Sequence, residues 1–479
     1  MNDDLTPILV GAGQVIEKGV DPAEAMGPVE LMVEAAGRAA DDAGIGRKKL
    51  ADLDLLIAVK SVVDVLTVNG ILNPIQNPPE ALAQRLGAHP ARQYITATGG
   101  NTPQMLVNQT AQRIAQGRVR LALFAGAEAL DTMARSLQTG LQRDWTIPSN
   151  SDPEMLSPER DGTNAMEKAH GLYLPANTYP LFENALRGYY GRTIEDHQAK
   201  LGQLFSRFTE VAANNPYAWF PVQRRAEEIA VPSPANRYVA FPYTKRMTAM
   251  IKVNQSAALI MTSVGFAREM GIDASRWIYL NGCADANDHW HVTERVNYYT
   301  SPAIAAAGKK ALAMAGVTID EIDFLDLYSC FPSAVQISRD MLGIIENDPR
   351  HLTVTGGLPY HGGPGNNYAM HAIAAMVEKL RNNPGKKGLV TANGWYITKH
   401  SLGIYGTEPN IKPWFREAPS SYQAGIDAQP HPEVVSTPSG AGIVETYTVI
   451  YDRDNEPNQG IVIGRLKDGR RFLANTPQD

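Results

Sequence analysis

Cysteine is scarce in this chain, with only Cys283 and Cys330 among 479 residues. Two thiols cannot form a disulfide framework for a chain of that length, which excludes a cystine-rich secreted fold. A cytoplasmic setting is expected. No stretch reaches the roughly 18 consecutive apolar residues of a membrane span. The opening MNDDLTPILVGAG has no basic segment followed by an apolar one, so no export signal is expected there. Charge of either sign is also weak, since 44 basic and 50 acidic residues leave a net of −6. That balance gives no global field to draw nucleic acid or an anionic membrane. What remains is a chain with 44% apolar and 20% charged residues, long enough for two to four domains of ordinary size.

The chain repeats itself weakly. Residues 27–44, GPVELMVEAAGRAADDAG, and 301–316, SPAIAAAGKKALAMAG, share a proline near the start, an alanine-rich body and a terminal Ala-Gly. Those are the marks of a helix that begins on proline and stops on glycine. Each leads through a short polar stretch into an apolar run, LDLLIAV at 53–59 and IDFLDLYSCF at 322–331, which read as buried strands. A second pair follows in the same order. NTPQMLVNQTAQRIAQGRVRLALFAGAE at 101–128 and NYAMHAIAAMVEKLRNNPGKKGLVTANG at 367–394 each read as helix, basic turn and strand. Two similar α/β halves with mixed sheets covered by helices are the expectation.

Between the halves, about 135–245, the sequence turns irregular and rich in Pro, Asn and aromatics. It carries one clear helical stretch, TIEDHQAKLGQLFSRFTEVAANN at 193–215. A long insertion there reads as a lid or binding loop, or as a packing elaboration. After residue 405 a Pro- and Ser-rich linker leads into alternating Val, Ile, Thr and Tyr, with Asp468-Gly469 as a hairpin signal. A small C-terminal all-β barrel of OB type is expected. It has no basic stripe interleaved with aromatics, so nucleic-acid binding is not. The domain boundaries are therefore 1–250 with the insertion, 251–405, and 406–479.

Over residues 1–405 the chain resembles the thiolase superfamily, and within it the sterol-carrier-protein type. The resemblance rests on GGNTPQMLVNQTAQRIAQGRVRLALFAGAEAL at 99–130, VNQSAALIMTS at 253–263, DLYSCFPSAV at 326–335, GGLPYHGGPGNN at 356–367 and GLVTANGW at 388–395. The C-terminal segment is similar to the extra domain of type-1 thiolase-like proteins. This likeness implies two βαβαβαββ halves in five layers, with helices between two sheets. It also implies acyl-CoA as substrate, no bound cofactor, and a possible homodimer through the first-half sheet edge. Thiolase chemistry needs a thiolate that accepts the acyl group, a histidine that activates it, a second acid/base and an oxyanion hole.

Against that pattern the chain departs. Ala97 or Thr98 stands where the nucleophilic cysteine belongs, Gly363 replaces the Gly-His-Pro histidine, and Tyr328 replaces the histidine of His-Asp-Cys-Phe. The last loop offers Asn393-Gly394 where a cysteine is usual. Cys330, His361, Tyr328, Thr98 and Asn393 are the candidate catalytic residues, and Gly362 and Gly363 the candidate ligand-contacting backbone. Asn366, Asn367 and His371 follow at the start of an expected helix, whose amino end suits an oxyanion. Each has a plain structural alternative: Cys330 as an inert thiol on an apolar strand, His361 as a brace of the glycine loop, Tyr328 as a satisfied core phenol. Cys283 is read as structural. On a strand His289 and His291 would share a face, but no third ligand is apparent, so no metal is expected.

Two classes of function follow. One is a non-classical acyl-CoA enzyme, either an acyltransferase with Cys330 as nucleophile and His361 as base, or a carbon–carbon lyase in which Tyr328 moves the proton. The other is a thiolase-fold protein that holds acyl-CoA or a lipid without turnover. A third possibility is an enzyme completed by a protein docked on the β domain.

Overall fold

The computed structural model describes residues 3–62 and 75–477. Nine strands form one mixed sheet: β1 (Pro7–Ile16), β2 (Leu55–Ala58), β3 (Arg92–Ile95), β4 (Leu121–Ala129), β7 (Asn254–Ser263), β8 (Ile278–Asn287), β9 (Phe324–Asp326), β10 (Lys387–Gly394) and β11 (Lys399–Gly406). Their order is β3-β2-β4-β7-β1-β8-β11-β10-β9. Read outward from the centre, the first half runs 1-5-4-2-3 in its own strand numbering and the second runs 1-5-4-2. The repeat seen in the sequence is thus a repeat of topology.

Two expectations change here. The halves do not keep separate sheets, because β1 and β8 join them edge to edge through Ile8–Tyr279 and Leu9–Ile278. Among the described residues the second half also has no third strand. Its equivalent segment is held instead by the buried Asp326 carboxylate, which accepts from Val354 N and Thr353 Oγ1 at 2.9 Å each. The apolar run at 322–331 is strand only to Asp326. Beyond it, Leu327 N donates to Leu352 O and Tyr328 N to Thr391 Oγ1, so the ladder ends and Cys330 lies in a loop before the helix Pro332–Met341.

Helices complete the layers. Pro28–Asp42 covers β1, β4 and β7 from outside, and Pro302–Ala315 covers β8 and β11. Thr102–Ala115 and Tyr368–Arg381 lie inside and each touches strands of both halves. The stop glycines Gly44 and Gly316 are left-handed, as their place after Ala requires. Outer helix and first strand approach so closely that only glycine fits. A Cβ on Gly11 would lie 2.2 Å from Ala39 O, and one on Gly282 would lie 2.1 Å from Ala311 O.

The insertion packs as helices, chiefly Pro175–Tyr189 and Ile194–Ala213, the latter capped by Thr193. It also reaches out twice. Glu154–Leu156 hydrogen-bonds to Ile95 on the free edge of β3. Its strands β5 (Tyr238–Ala240) and β6 (Tyr243–Thr244) extend the C-terminal sheet of β12 (Val434–Val435), β13 (Gly442–Tyr451), β14 (Pro457–Leu466) and β15 (Arg471–Asn475). That sheet runs β12-β15-β14-β13-β5-β6, with no pairing between its end strands among the described residues. Asp468-Gly469 makes the β14–β15 hairpin, Gly469 at φ +86°. The expected linker contains a helix, Ser420–Asp427, held by Tyr422 Oη on Asp285 O at 2.7 Å. Among the described residues no helix is long and apolar enough to cross a membrane.

Candidate active site

Tyr328, Cys330 and Asn393 converge, though they come from different elements. Asn393 ends β10, and Tyr328 and Cys330 follow β9, its parallel neighbour. A fourth residue, Tyr179 of the insertion, ties them together. Asn393 Nδ2 donates to Tyr179 Oη at 2.8 Å, and Tyr179 Oη donates to Trp395 O at 2.8 Å. The Cys330 thiol faces both the Tyr179 hydroxyl and Asn393. Tyr179 also stacks on Phe331, ring centroids 4.5 Å apart.

This cluster is buried. Tyr328 is 6% and Cys330 8% exposed. Burial pushes the Cys330 thiol up to about 12, so it stays protonated at neutral pH. Burial likewise raises Tyr328 and Tyr179 well above an ordinary phenol, which leaves both as neutral donors. The Asn393 Oδ1 has no hydrogen-bond partner among the described residues.

His361 stands apart from the thiol. Among the described residues its Nδ1 reaches Gly362 O at 3.3 Å and its buried Nε2 has no partner. The ring lies edge-on to Tyr368, 5.8 Å between centroids, and Tyr368 in turn lies 5.5 Å from Tyr328. Desolvation lowers His361 to about 4, so it is a neutral imidazole. His371, 5.0 Å away, is lowered further by burial and by His361. Its Nδ1 bonds Gln14 Oε1 at 2.9 Å. Gly362 is left-handed at φ +111°, and a Cβ there would lie 2.4 Å from Gln255 Oε1; at Gly363 the nearest atoms would be 3.5 Å away.

Thr98 faces a second environment. Its amide donates to Glu159, which Lys60 also holds at 3.0 Å, and its carbonyl accepts from Lys399 Nζ at 2.5 Å. Asn366 joins the same loop by accepting from Gly99 N at 2.9 Å and donating to Lys60 O at 2.8 Å. Lys399, at the start of β11, was not among the expected residues. Burial lowers it to about 8, with Glu159 opposing. It lines a cavity of about 810 Å³ together with Ala97 and Asn101. The Gly99-Gly100 backbone lies between Lys399 on the cavity side and Tyr328 in the buried cluster. A Cβ on Gly99 would lie 2.5 Å from Lys399 Nζ, and one on Gly100 would lie 2.2 Å from Tyr328 Oη. Neither position admits a side chain.

Sequence reasoning also missed Tyr179, since nothing in the insertion's spacing marks one tyrosine among several. Lys399 leaves a faint signal, as a cation entering an otherwise apolar strand. His289 and His291 go to separate partners, Gln429 O at 3.2 Å and Glu294 at 3.1 Å.

The halves, the crossed inner helices and the loop cluster between them define a thiolase-like protein. Two family models agree, "Thiolase C-terminal domain-like" over residues 284–407 and "Thiolase-like protein type 1 additional C-terminal domain" over 421–479. A monomeric SCP2-thiolase like protein type 1 (STLP1) from Mycobacterium smegmatis is 37% identical. The match covers 99% of this chain and 92% of that one, with a TM-score of 0.84. The chain belongs to the SCP2-thiolase-like protein type 1 family. More distant structures share the fold. An Ltp2-ChsH2(DUF35) aldolase is 19% identical, with 85% and 98% covered and a TM-score of 0.62. An acetyl-CoA acetyltransferase from Syntrophomonas wolfei is 15% identical, with 84% and 99% covered and a TM-score of 0.59. Human sterol carrier protein 2 matches at 23% over 270 residues, 51% of this chain, which spans about half (48%) of that relative's length.

Proposed function

We propose that the chain acts on CoA thioesters by proton transfer from Tyr328, making or breaking a carbon–carbon bond without an acyl-enzyme. The observation that carries this reading is the place of Cys330: buried, facing the Tyr179 hydroxyl and Asn393, with no histidine in contact among the described residues; burial raises its thiol as well. A thiol so placed is a poor nucleophile. A neutral buried phenol is suited to donate a proton to the alkoxide formed as an enolate adds to a carbonyl. The reverse step, cleavage, needs Tyr328 as the phenolate, which takes the hydroxyl proton as the carbon–carbon bond breaks and the enolate leaves. The amino end of the helix Thr102–Ala115, beside Gly100, suits the developing oxyanion. Compartment is proposed as cytoplasmic, with no protein partner needed, because the β domain is fused.

A second reading has one observation in its favour. Tyr328 and Cys330 do not line the 810 Å³ cavity, and the glycine wall stands between them. A protein that holds a thioester without turnover fits a wall that never opens. Incubation with acyl- and β-hydroxyacyl-CoA panels, followed by intact-mass and product analysis, separates the readings. Lyase chemistry predicts turnover with no adduct, retained in Cys330→Ala and reduced about 100-fold or more in Tyr328→Phe. An acyl mass on Cys330 would return the acyltransferase. Binding with neither adduct nor product would leave the holding protein.

A further inference from the structure

The proposed proton transfer leaves Lys399 unused, yet the chain clears a slot for it. A Cβ on Gly99 would lie 2.5 Å from its Nζ and 2.8 Å from its Cε, and one on Gly394 would lie 2.9 Å from Cε. The lysine stem passes between these two glycines, and a side chain at either would collide with it. At the tip, Nζ donates to Thr98 O, on the loop where the resemblance expects a nucleophile. No carboxylate forms an ion pair with it among the described residues. Glu159, the acid that acts on its charge, is bound to Lys60 and to the Thr98 amide. A largely buried ammonium without a counter-ion is costly, and a methionine would fill the slot without that cost. Burial brings the amine down to about 8. About one-tenth of the molecules then carry it uncharged at pH 7, against fewer than about one in a thousand for an ordinary lysine.

The amine opens onto the 810 Å³ cavity, where a small molecule can reach it. The charged side chains there are cations, apart from Asp285, which is bound to Arg416. One of these cations stands with Lys399. The Arg160 guanidinium lies 4.0 Å over the Trp290 ring, and Lys399 Nζ lies 5.9 Å from the same ring. Trp290 is fixed by its indole N–H, which donates to Asp161 O at 2.6 Å. Arg160 forms no ion pair among the described residues. A guanidinium fork matches a carboxylate, and a partly neutral amine adds to a carbonyl. A small molecule that offers both groups close together is an oxo acid.

We infer that Lys399 is a Schiff-base nucleophile for a small oxo acid, whose carboxylate pairs with Arg160 beside Trp290. The Nζ lone pair adds to the carbonyl carbon, and the C=O π pair moves to oxygen. A proton passes from nitrogen to that oxygen and gives the carbinolamine. A second proton, from cavity water, lets the oxygen leave as water while the C=N bond of an iminium forms. No oxidant or reductant is consumed, and hydrolysis reverses the step. The assignment does not depend on Tyr328, which lies on the other side of the Gly99-Gly100 backbone.

Trapping tests it. The full chain is incubated at pH 7 with glyoxylate, and separately with pyruvate, in sodium cyanoborohydride, which reduces an iminium to a stable secondary amine. Intact mass and peptide mapping locate the label. Lys399 should be labelled at least about tenfold faster than any exposed lysine. Arg160→Ala should slow that labelling at least about fivefold. Arg160 is exposed, so the variant should keep the fold, as its melting temperature will report. Acetaldehyde, which has no carboxylate, should label Lys399 equally in both proteins. Label spread over surface lysines with no preference for Lys399 overturns the nucleophile. Glyoxylate labelling of Lys399 that is as fast in Arg160→Ala as in the parent overturns the oxo-acid site. Neither readout involves turnover by Tyr328, so the two ideas fail separately.

Discussion

The two halves of this protein agree on their outer faces and disagree on their inner ones. Outside, each half presses an alanine-rich helix onto a glycine of its first strand, Gly11 under Ala39 and Ala43, Gly282 under Ala311 and Ala315. Inside, the first half ends in the Gly99-Gly100 wall and an open cationic cavity, while the second ends in a sealed phenol, thiol and imidazole. Packing constrains the outer contact wherever the fold is kept, because a close-packed interface has no slack. The inner ends contact loops and the insertion, so they are free to diverge. A duplicated scaffold thus carries two chemically different faces on either side of one glycine pair.

The largest test of the comparison concerns what braces the second half. Arg471 of the C-terminal sheet is 0% exposed, pairs with Glu445 at 2.7 Å and donates to Thr293 O and Arg295 O. Arg295 passes the support on, donating to Tyr396 O at 2.9 Å and Thr398 Oγ1 at 2.8 Å in the loop between Asn393 and Lys399. That loop holds Trp395 and Ile397 at positive φ, 56° and 55°, conformations a side chain adopts only under restraint. Arg471→Met should cost about 3–5 kcal/mol in urea unfolding. It should also loosen the 394–399 loop first, read as faster amide exchange there. Uniform loosening of both halves would mean the sheet stabilises the fold generally and does not brace this loop.

Acid sensitivity should come from the second half. His361 is lowered from 6.5 to about 4, and His371 is lowered too, so the unfolded chain binds their protons more tightly. Their contribution is therefore full above about pH 6.5 and declines as pH falls towards 4. For His361 alone this amounts to about 3 kcal/mol. Urea midpoints between pH 7 and 4 should fall, and His361→Gln should flatten that fall. An unchanged slope in the variant would place the acid sensitivity elsewhere.

Gly11→Ala and Gly282→Ala should each cost about 1–3 kcal/mol, and by similar amounts, because each Cβ meets a backbone oxygen that cannot withdraw. A marked difference between them would break the equivalence of the halves.

Much of this was legible in the sequence for a physical reason. Helix starts on proline, stops on glycine and buried apolar runs are local signals, and they placed the repeat, the helix at 194–213 and the β14–β15 hairpin correctly. The motif positions Tyr328, Cys330 and Asn393 meet because parallel neighbours β9 and β10 end side by side. What escaped notice was non-local. Tyr179 enters from an insertion with no repeat to index it, Lys399 matters through a cavity made by five segments, and the union of the two sheets depends on two residue pairs among the described residues. The end of the second-half strand was hidden as well, since Asp326 looks like any strand residue until its carboxylate is seen capturing the next segment.

The smallest expected effect bears on Gly363, where the resemblance expects a histidine. Gly362 and Gly363 are adjacent, yet their constraints differ. Gly362 is left-handed and crowded by Gln255, so Gly362→Ala should be clearly destabilising. At Gly363 a Cβ would meet Ala249, Leu358 and Met250 O no closer than 3.5 Å, ordinary van der Waals contact. Gly363→Ala should therefore change stability by less than about 0.5 kcal/mol. Such a result would mean that lack of space for a Cβ does not explain a glycine where the resemblance expects histidine, in keeping with the proposed proton transfer by Tyr328. A large loss in Gly363→Ala would instead tie the glycine to backbone packing, and its identity would then say nothing about the proposed chemistry.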